Sequence, residues 1–271
     1  MNESIGLIGL GDLGQPVARN LLASGYPLTV YNRTASKTEP LVALGAEAAA
    51  RPSEAVTIGG TVLTIVADDA ALESVVMSEG FLEALGEGGV HLSMSTVSLA
   101  LSRKLAALHA QHGSSLIEAP VFGRPEAAAA RQLWICTAGP QAAKQRVQPV
   151  LDALGQGTYD FGEAIGAALT VKLAGNFMIL SAGLAITEAL KTAKASGVDP
   201  VKVIEMLTQT LFPAPIYQSY GQLIAADPDR MMTNWIGQKD MGLFRALSAA
   251  VGADTPLASL LQEQLQAAAD S

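Results

Sequence analysis

Three glycines, Gly9, Gly11 and Gly14, stand at the spacing G-x-G-x-x-G directly after the apolar run Ile5-Gly6-Leu7-Ile8 and just before a segment of helical periodicity at 17–23. Strand, glycine turn and helix in that order admit few folds. A Cβ would obstruct the tight turn at Gly9, crowd anything approaching the backbone at Gly11, and hold the helix away from the strand at Gly14. The chain must therefore begin with a buried strand feeding a crossover helix, the opening unit of a parallel sheet.

The rest of the first half repeats that unit. Short apolar runs at 5–8, 28–31, 61–66, 90–93, 115–118 and 133–138 alternate with helical spacing at 17–23, 70–76, 99–109 and 142–154. This predicts parallel strands joined by helices. After Gly155, Gly157, Gly162 and Gly166 the pattern changes to one long helical run at 167–196 with no strand beyond it. Gly197 suits the residue after a helix end, and Asp199-Pro200 gives the next helix an N-cap and a first-turn proline. Segments 200–210, 215–226 and 238–268 also read as helices. The predicted fold class is α/β, with a Rossmann-type parallel sheet over 1–161 and an all-helical substrate and dimerisation domain over 162–271.

Composition narrows the function. A net charge of -8 argues against a general nucleic-acid binder, which needs a basic face. No uninterrupted apolar stretch approaches the roughly 18–20 residues of a membrane span, and the N-terminus lacks a basic segment followed by an apolar one. The expectation is a cytoplasmic protein with neither membrane nor nucleic-acid partner. Cys136 is the single cysteine, and His91, His109 and His112 show no ligand spacing, so no metal site is expected. His109 and His112 read as solvated or facing a helix C-terminus. A helix of about 30 residues is about 45 Å long, and 182–195 is rich in small apolar residues, so a homodimer that buries it is expected.

A glycine turn between strand and helix sets phosphates against a helix N-terminus. Gly9, Leu10, Gly11, Asp12, Leu13 and Gly14 are therefore predicted to bind the pyrophosphate of a dinucleotide, through backbone. The side chain of Asp12 is assigned no role, because its charge opposes the phosphates. About 20 residues on, where an NAD-binding chain commonly places an acid, stands Asn32-Arg33-Thr34. Arg33 suits a 2′-phosphate, Asn32 and Thr34 can add hydrogen bonds, and Lys37 is a weaker helper. NADP(H) is favoured over NAD(H); if Arg33 is only a solvated loop charge, either cofactor serves. Val66 and Ala67, at the carboxyl end of the third apolar strand, would line the nicotinamide side with their backbone.

Hydride transfer to a carbonyl leaves an alkoxide that needs a proton donor. Lys172 and Asn176 lie one helical turn apart on one face, among Val171, Leu173, Ala174 and Gly175. On spacing alone Lys172 is either such a donor or a snorkelling surface residue. Five motifs in order decide how the chain is read: Gly9-Leu10-Gly11-Asp12-Leu13-Gly14, Ser95-Thr96-Val97-Ser98, Glu118-Ala119-Pro120-Val121-Phe122-Gly123, Gly166 through Lys172 to Asn176, and Lys239-Asp240. Over nearly its whole length the chain resembles the β-hydroxyacid dehydrogenases, which include 3-hydroxyisobutyrate dehydrogenase, tartronate semialdehyde reductase and the glyoxylate/succinic semialdehyde reductases. The resemblance implies Lys172 as general acid/base and Asn176 as a substrate-orienting group. It also implies Ser95 as a substrate contact, Thr96 as a cofactor and substrate contact, and Lys239 near nicotinamide and substrate.

The chain departs from that pattern after Pro120-Val121. Family members usually carry Ser-Gly-Gly there, the serine binding the substrate carboxylate, whereas this chain has Phe122-Gly123-Arg124-Pro125. The hydroxyl is lost and the pocket becomes more apolar, while Arg124 either pairs with an anion or points to solvent. Phe122, Gly123 and Arg124 are candidate substrate residues, with Phe212, Pro213, Pro215, Tyr217 and Trp235 as candidates for substrate shape or simply core. The chain also ends sooner after Lys239-Asp240 than the family usually does, implying a more open cleft or one covered by a partner subunit. The leading expectation is an NADPH-dependent reductase of a small aldehyde or keto acid, reversibly oxidising a β-hydroxyacid. An imine reductase is the alternative, disfavoured because that group often has Asp or Tyr where Lys172 stands. A non-catalytic dinucleotide sensor is a third reading, disfavoured by Lys172, Asn176 and Lys239 together.

Overall fold

The computed structural model describes residues 3–227 and 235–269. Its N-terminal sheet contains β1 (Ile5–Ile8), β2 (Leu28–Tyr31), β3 (Glu47–Ala48), β4 (Thr61–Thr64), β5 (Val90–Ser93) and β6 (Ser115–Glu118) in the order β3-β2-β1-β4-β5-β6. Every pairing is parallel, with Ile5 beside both Leu28 and Thr61. All residues of β1, β4 and β5 are buried, as strands covered on both faces must be. The helices α1 (Gly14–Ala23), α2 (Glu39–Val42), α3 (Asp69–Val76), α4 (Phe81–Leu85) and α5 (Leu99–Gln111) connect these strands. The strand order reverses between β1 and β4, and loops at the carboxyl ends beside that point are where such sheets bind ligands.

Pro120 ends the ladder, and the chain turns into a second sheet that periodicity did not separate. It has the order β7 (Val121–Phe122), β8 (Leu133–Thr137), β9 (Gly155–Asp160), with β7 antiparallel and β9 parallel to β8. Between them lie α6 (Pro125–Ala129) and α7 (Gln141–Asp152). The strand expected at 133–138 thus belongs to this sheet. β9 was not anticipated, because Gly155 and Gly157 read as loop. They are glycines for packing: a Cβ on Gly155 would lie 2.6 Å from the Leu133 carbonyl oxygen, and one on Gly157 would lie 2.5 Å from the Trp134 ring.

The remainder is helical: α8 (Ala167–Ala195), α9 (Pro200–Gln209), α10 (Pro215–Ala226), α11 (Trp235–Ala250) and α12 (Pro256–Ala269). Asp199 caps α9 by accepting from Val201 N–H at 3.0 Å. The helix expected over 238–268 is two helices, because Gly252 turns left-handed (φ +69°) and Pro256 opens the next one. The chain divides into compact units Met1–Lys172 and Leu173–Ser271, and α8 runs through the division. Ala168 and Leu169 pack in the first unit, and Leu180, Leu184, Ile186 and Leu190 in the second.

By length and composition α8 could cross a membrane: an 18-residue window has mean hydropathy 1.6, and 28% of it is buried. Scattered polar residues interrupt the apolar run along α8, while the window mean stays high.

The histidine expectation also needs correcting. His109 is fully buried, not solvated, and so is His91. His91 Nε2 meets Thr64 Oγ1 at 2.9 Å, His91 Nδ1 meets His109 Nε2 at 2.9 Å, and His109 Nδ1 meets Ser114 Oγ at 2.8 Å. A polar face of α5 is thus turned into the core and satisfied there, with Phe81 edge-on to both rings.

Candidate active site

The glycine turn has the geometry of a phosphate cradle. Gly9 adopts φ +98°, and a Cβ there would lie 2.1 Å from the Ile65 carbonyl oxygen. A Cβ on Gly14 would lie 2.0 Å from the Gly9 carbonyl oxygen, so the helix start sits directly on the turn. Gly11 has open space where a Cβ would stand, which leaves its backbone approachable. At the head of α1 neither the N-cap residue Leu13 nor any acidic residue of the first turn occupies the N–H groups. Asp12 is exposed. These residues fit a dinucleotide pyrophosphate.

The side chain of Asn32 also has a structural task. Its Oδ1 accepts from Leu10 N–H at 2.9 Å, and its Nδ2 donates to the Thr34 carbonyl at 3.0 Å. The amide thereby ties the end of β2 to the glycine turn. Arg33 and Thr34 are exposed beside it, and among the described residues no acidic side chain pairs with Arg33. Lys37 is held near α1 through its carbonyl, which accepts from Gln15 Nε2 at 2.6 Å.

The loops after β4 and β5 are fastened together. Buried Ser95 accepts from Val66 N–H through its Oγ at 2.8 Å. Asp69 takes the Ser98 N–H at 2.8 Å and the Ser98 hydroxyl at 2.5 Å, while Asp68 caps α3 through Ala71 N–H. Val66, Ala67, Ser95 and Thr96 are therefore held on adjoining loops at one sheet edge. The hydroxyl of Ser95 is committed to that brace, a role the sequence did not show.

Lys172 lies in the second turn of α8, with its Nζ 4.4 Å from the centroid of the Phe122 ring. Phe122, Ala167 and Val171 pack on buried Cys136, Ala138 and Ala168. Burial raises the Cys136 thiol, and the Lys172 charge draws it partly back. Glu118 anchors this end of α8. Its buried carboxylate accepts from Ser102 Oγ at 2.5 Å, Gly166 N–H at 2.8 Å and Leu169 N–H at 3.5 Å. Burial raises its carboxyl above the ordinary value, and these hydrogen bonds work the other way. Gly123, at φ +143°, carries the chain from Phe122 to Arg124. Arg124 is exposed, with its Nε 3.7 Å from Glu126, a pair too solvated to hold either strongly.

In the second unit Asn176, one turn along α8 from Lys172, donates through Nδ2 to Asp240 Oδ2 at 2.5 Å. The other carboxylate oxygen of Asp240 lies 2.9 Å from Lys239 Nζ. Asp240 is buried, and it holds Asn176 and Lys239 to one centre, a role that spacing along the chain does not show. The rings of Phe212 and Tyr217 meet at 4.9 Å between centroids with their planes tilted by 31°, and Phe212, Pro213, Pro215 and Trp235 are exposed.

The NAD-binding domain model of 6-phosphogluconate dehydrogenase matches residues 4–166, and the NAD-binding model of NADP-dependent 3-hydroxyisobutyrate dehydrogenase matches 166–271. The chain belongs to the β-hydroxyacid dehydrogenase family. It is an NAD(P)-dependent oxidoreductase. An uncharacterised oxidoreductase of Bacillus subtilis is 43% identical, over 97% of this chain and 92% of its own. Glyoxylate/succinic semialdehyde reductase 2 of Arabidopsis thaliana, chloroplastic, is 31% identical over 96% of this chain and 73% of its own. Among solved structures, 3-hydroxyisobutyrate dehydrogenase of Salmonella typhimurium superposes with TM-score 0.87 at 25% identity, covering 99% of this chain and 95% of that one. An imine reductase of Streptomyces aurantiacus reaches TM-score 0.72 at 26% identity, with the same coverages of 99% and 95%. For this β-hydroxyacid dehydrogenase the family thus accounts for both the parallel sheet and the helical part.

Proposed function

We propose that this β-hydroxyacid dehydrogenase is an NADPH-dependent reductase of a small aldehyde or keto acid, running in reverse as oxidation of the β-hydroxyacid, with Lys172 as general acid/base. The observation that carries the reading is the placement of Lys172: an ammonium on the capped first turns of α8, against an apolar cluster, with Asn176 one turn on. A bound nicotinamide dinucleotide supplies the hydride. Lys172 Nζ gives a proton to the carbonyl oxygen as negative charge builds there, and takes it back in the oxidative direction. Asn176, held by Asp240, orients the substrate; Ser95 holds Val66 in place on the nicotinamide side. Phe122 and Arg124 replace the family's hydroxyl with an apolar ring and a cation, which supports a less polar carbonyl substrate.

The NADP reading is supported by Arg33, exposed at the end of β2 with no acidic residue in Asn32-Arg33-Thr34 to repel a 2′-phosphate. The test is a panel of glyoxylate, succinic semialdehyde, larger aldehydes and a cyclic imine, each assayed with NADPH and NADH. Reduction of an aldehyde with NADPH preferred is the expected result, and the Arg33→Ala variant should lower that preference by roughly 10- to 100-fold, the worth of charge-assisted hydrogen bonds. Turnover of the imine alone would replace the reading with the imine-reductase alternative.

The same α8 supports a homodimer. Met178 is 68% exposed on a helix of high hydropathy, and Met206, Leu211 and Phe212 are exposed on the same unit. A second copy covering the exposed side of α8 removes Met178 from water. Sedimentation velocity should give twice the 27.9 kDa chain mass, and a monomer at micromolar concentration would dismiss the proposal.

A further inference from the structure

Glu118 is the last residue of β6, buried, and beside Ser93 in the β5–β6 register. The Oγ of Ser93 has no hydrogen-bond partner among the described residues, and the neighbouring carboxylate is turned instead toward two helices. Its Oε1 accepts from Ser102 Oγ on α5 at 2.5 Å and from Gly166 N–H at 2.8 Å, and its Oε2 faces Leu169 N–H at 3.5 Å. Donors on every side suit an ionised carboxylate, and two of them are N–H groups at the start of α8, where the helix dipole favours an anion. Gly166 adopts φ +105°, and a Cβ there would lie 3.2 Å from Leu99 Cδ2, so a glycine lets the chain enter α8 with its N–H at the carboxylate. Lys172 follows Leu169 by one turn, about 4.5 Å of helix rise. Glu118, Ser102, Gly166, Leu169 and Lys172 all lie in the first unit. One carboxylate thus joins the strand that leads to Phe122, the helix that follows the Ser95-Thr96 loop, and the helix that carries Lys172.

We propose that Glu118 is a positioning residue: its carboxylate fixes the first turns of α8 against β6 and α5 and so sets where the backbone places Lys172. The inference rests on the reading of Lys172 as general acid/base, and it concerns the backbone that carries the lysine, not the partners of its side chain. A general acid acts across a hydrogen bond, so a small displacement of its helix is felt in the rate. Glutamine is the discriminating substitution. It keeps the shape of the side chain but removes the charge from the helix start, and its amide nitrogen turns an N–H toward at least one of the three donors. The glycine cradle and Arg33, on β1, α1 and the end of β2, are left as they are.

The experiment places E118Q in two backgrounds of the full-length protein, with Lys172 intact and with Lys172→Ala, and reads kcat and the KM for NADPH in each. With Lys172 present, kcat should fall about 10-fold while the KM for NADPH stays unchanged. In the Lys172→Ala background the further loss should be under about twofold, because a residue that acts through the lysine has nothing left to position there. A loss of equal size in both backgrounds overturns the proposal, since a general loosening of the fold would act on both. A kcat unchanged by E118Q overturns it as well. Amide hydrogen exchange of the apoprotein supplies a readout without turnover: residues 166–173 should exchange roughly 10-fold faster in E118Q, and residues 14–23 at the wild-type rate. Unchanged exchange at 166–173 removes Glu118 from its place. Failure of the reductase reading shows separately, as a carbonyl panel that the wild-type enzyme does not reduce, and exchange then decides whether Glu118 holds the helix. If E118Q does not fold, S102A, which keeps the carboxylate and removes one of its donors, takes its place under the same criteria, with an expected loss in kcat of about threefold.

Discussion

Lys172→Ala is expected to leave dinucleotide binding unchanged and to lower turnover by roughly 10²- to 10⁴-fold, the usual contribution of a positioned general acid or base. The glycine cradle and Arg33 are on β1, α1 and the end of β2, while Lys172 is on α8, so the two functions separate by element. Fluorescence titration of NADPH onto the variant checks the first half, and steady-state rates on the best substrate check the second. Lys172→Arg sharpens the comparison. It preserves a positive charge, yet guanidinium does not release its proton in this pH range. If charge alone stabilised the alkoxide, arginine would retain most of the rate; if proton transfer is the contribution, it should be nearly as slow as alanine. A rate near wild type in Lys172→Ala would remove Lys172 from the mechanism.

Acid is expected to destabilise the first unit through its buried histidine pair. Ser114 Oγ donates to the His109 carbonyl at 3.2 Å, so it accepts from His109 Nδ1–H. His109 Nε2 is then an acceptor for His91 Nδ1–H, and His91 Nε2 accepts from the Thr64 hydroxyl. Both rings are neutral in this arrangement. Burial, then the charge of the neighbouring histidine, holds His91 well below its ordinary 6.5, and burial with the nearby His112 lowers His109 to about 4.

In the unfolded chain both take up protons near 6.5. Between 6.5 and about 4 the unfolded state binds more protons, so stability falls as pH falls. For His109 the interval corresponds to about 3 kcal/mol. Glu118 acts in the opposite sense, since its carboxyl is raised by burial and the cost of its ionised form is relieved on acidification. Asp160, held below its ordinary value by Lys144, adds to the loss only at lower pH. Urea unfolding at pH 7, 6, 5 and 4 should show the decline begin below 6.5, and ¹⁵N spectra of the imidazoles at pH 6 should show both neutral. Stability constant from pH 7 to 5 would contradict the assignment.

The legible parts of this protein were those encoded locally. Gly9, Gly11 and Gly14 mark the cradle because their conformations and clearances are set within one turn and its adjoining strand. The strands β1, β2, β4, β5 and β6 showed because short, mainly apolar runs alternate there with segments of helical spacing. Lys172 and Asn176 showed because helical spacing fixes their common face. Asp199-Pro200 announced a helix start for the same reason.

What the sequence left undecided depended on residues that meet only after folding. β9 was hidden because its glycines answer to Leu133 and Trp134 on another strand, not to a local turn. His109 looked like a solvated helix residue until His91, Thr64 and Ser114, from other elements, supplied its hydrogen bonds. Asn32 became a brace of the glycine turn once Leu10 N–H was beside it, and Asp240 gained its place between Asn176 and Lys239 in the same way. The dinucleotide-binding plan and the lysine were therefore written in the order of the residues. The contact of Lys172 with the Phe122 ring was decided by the approach of Phe122 from β7, because such a contact depends on distance and not on spacing along the chain.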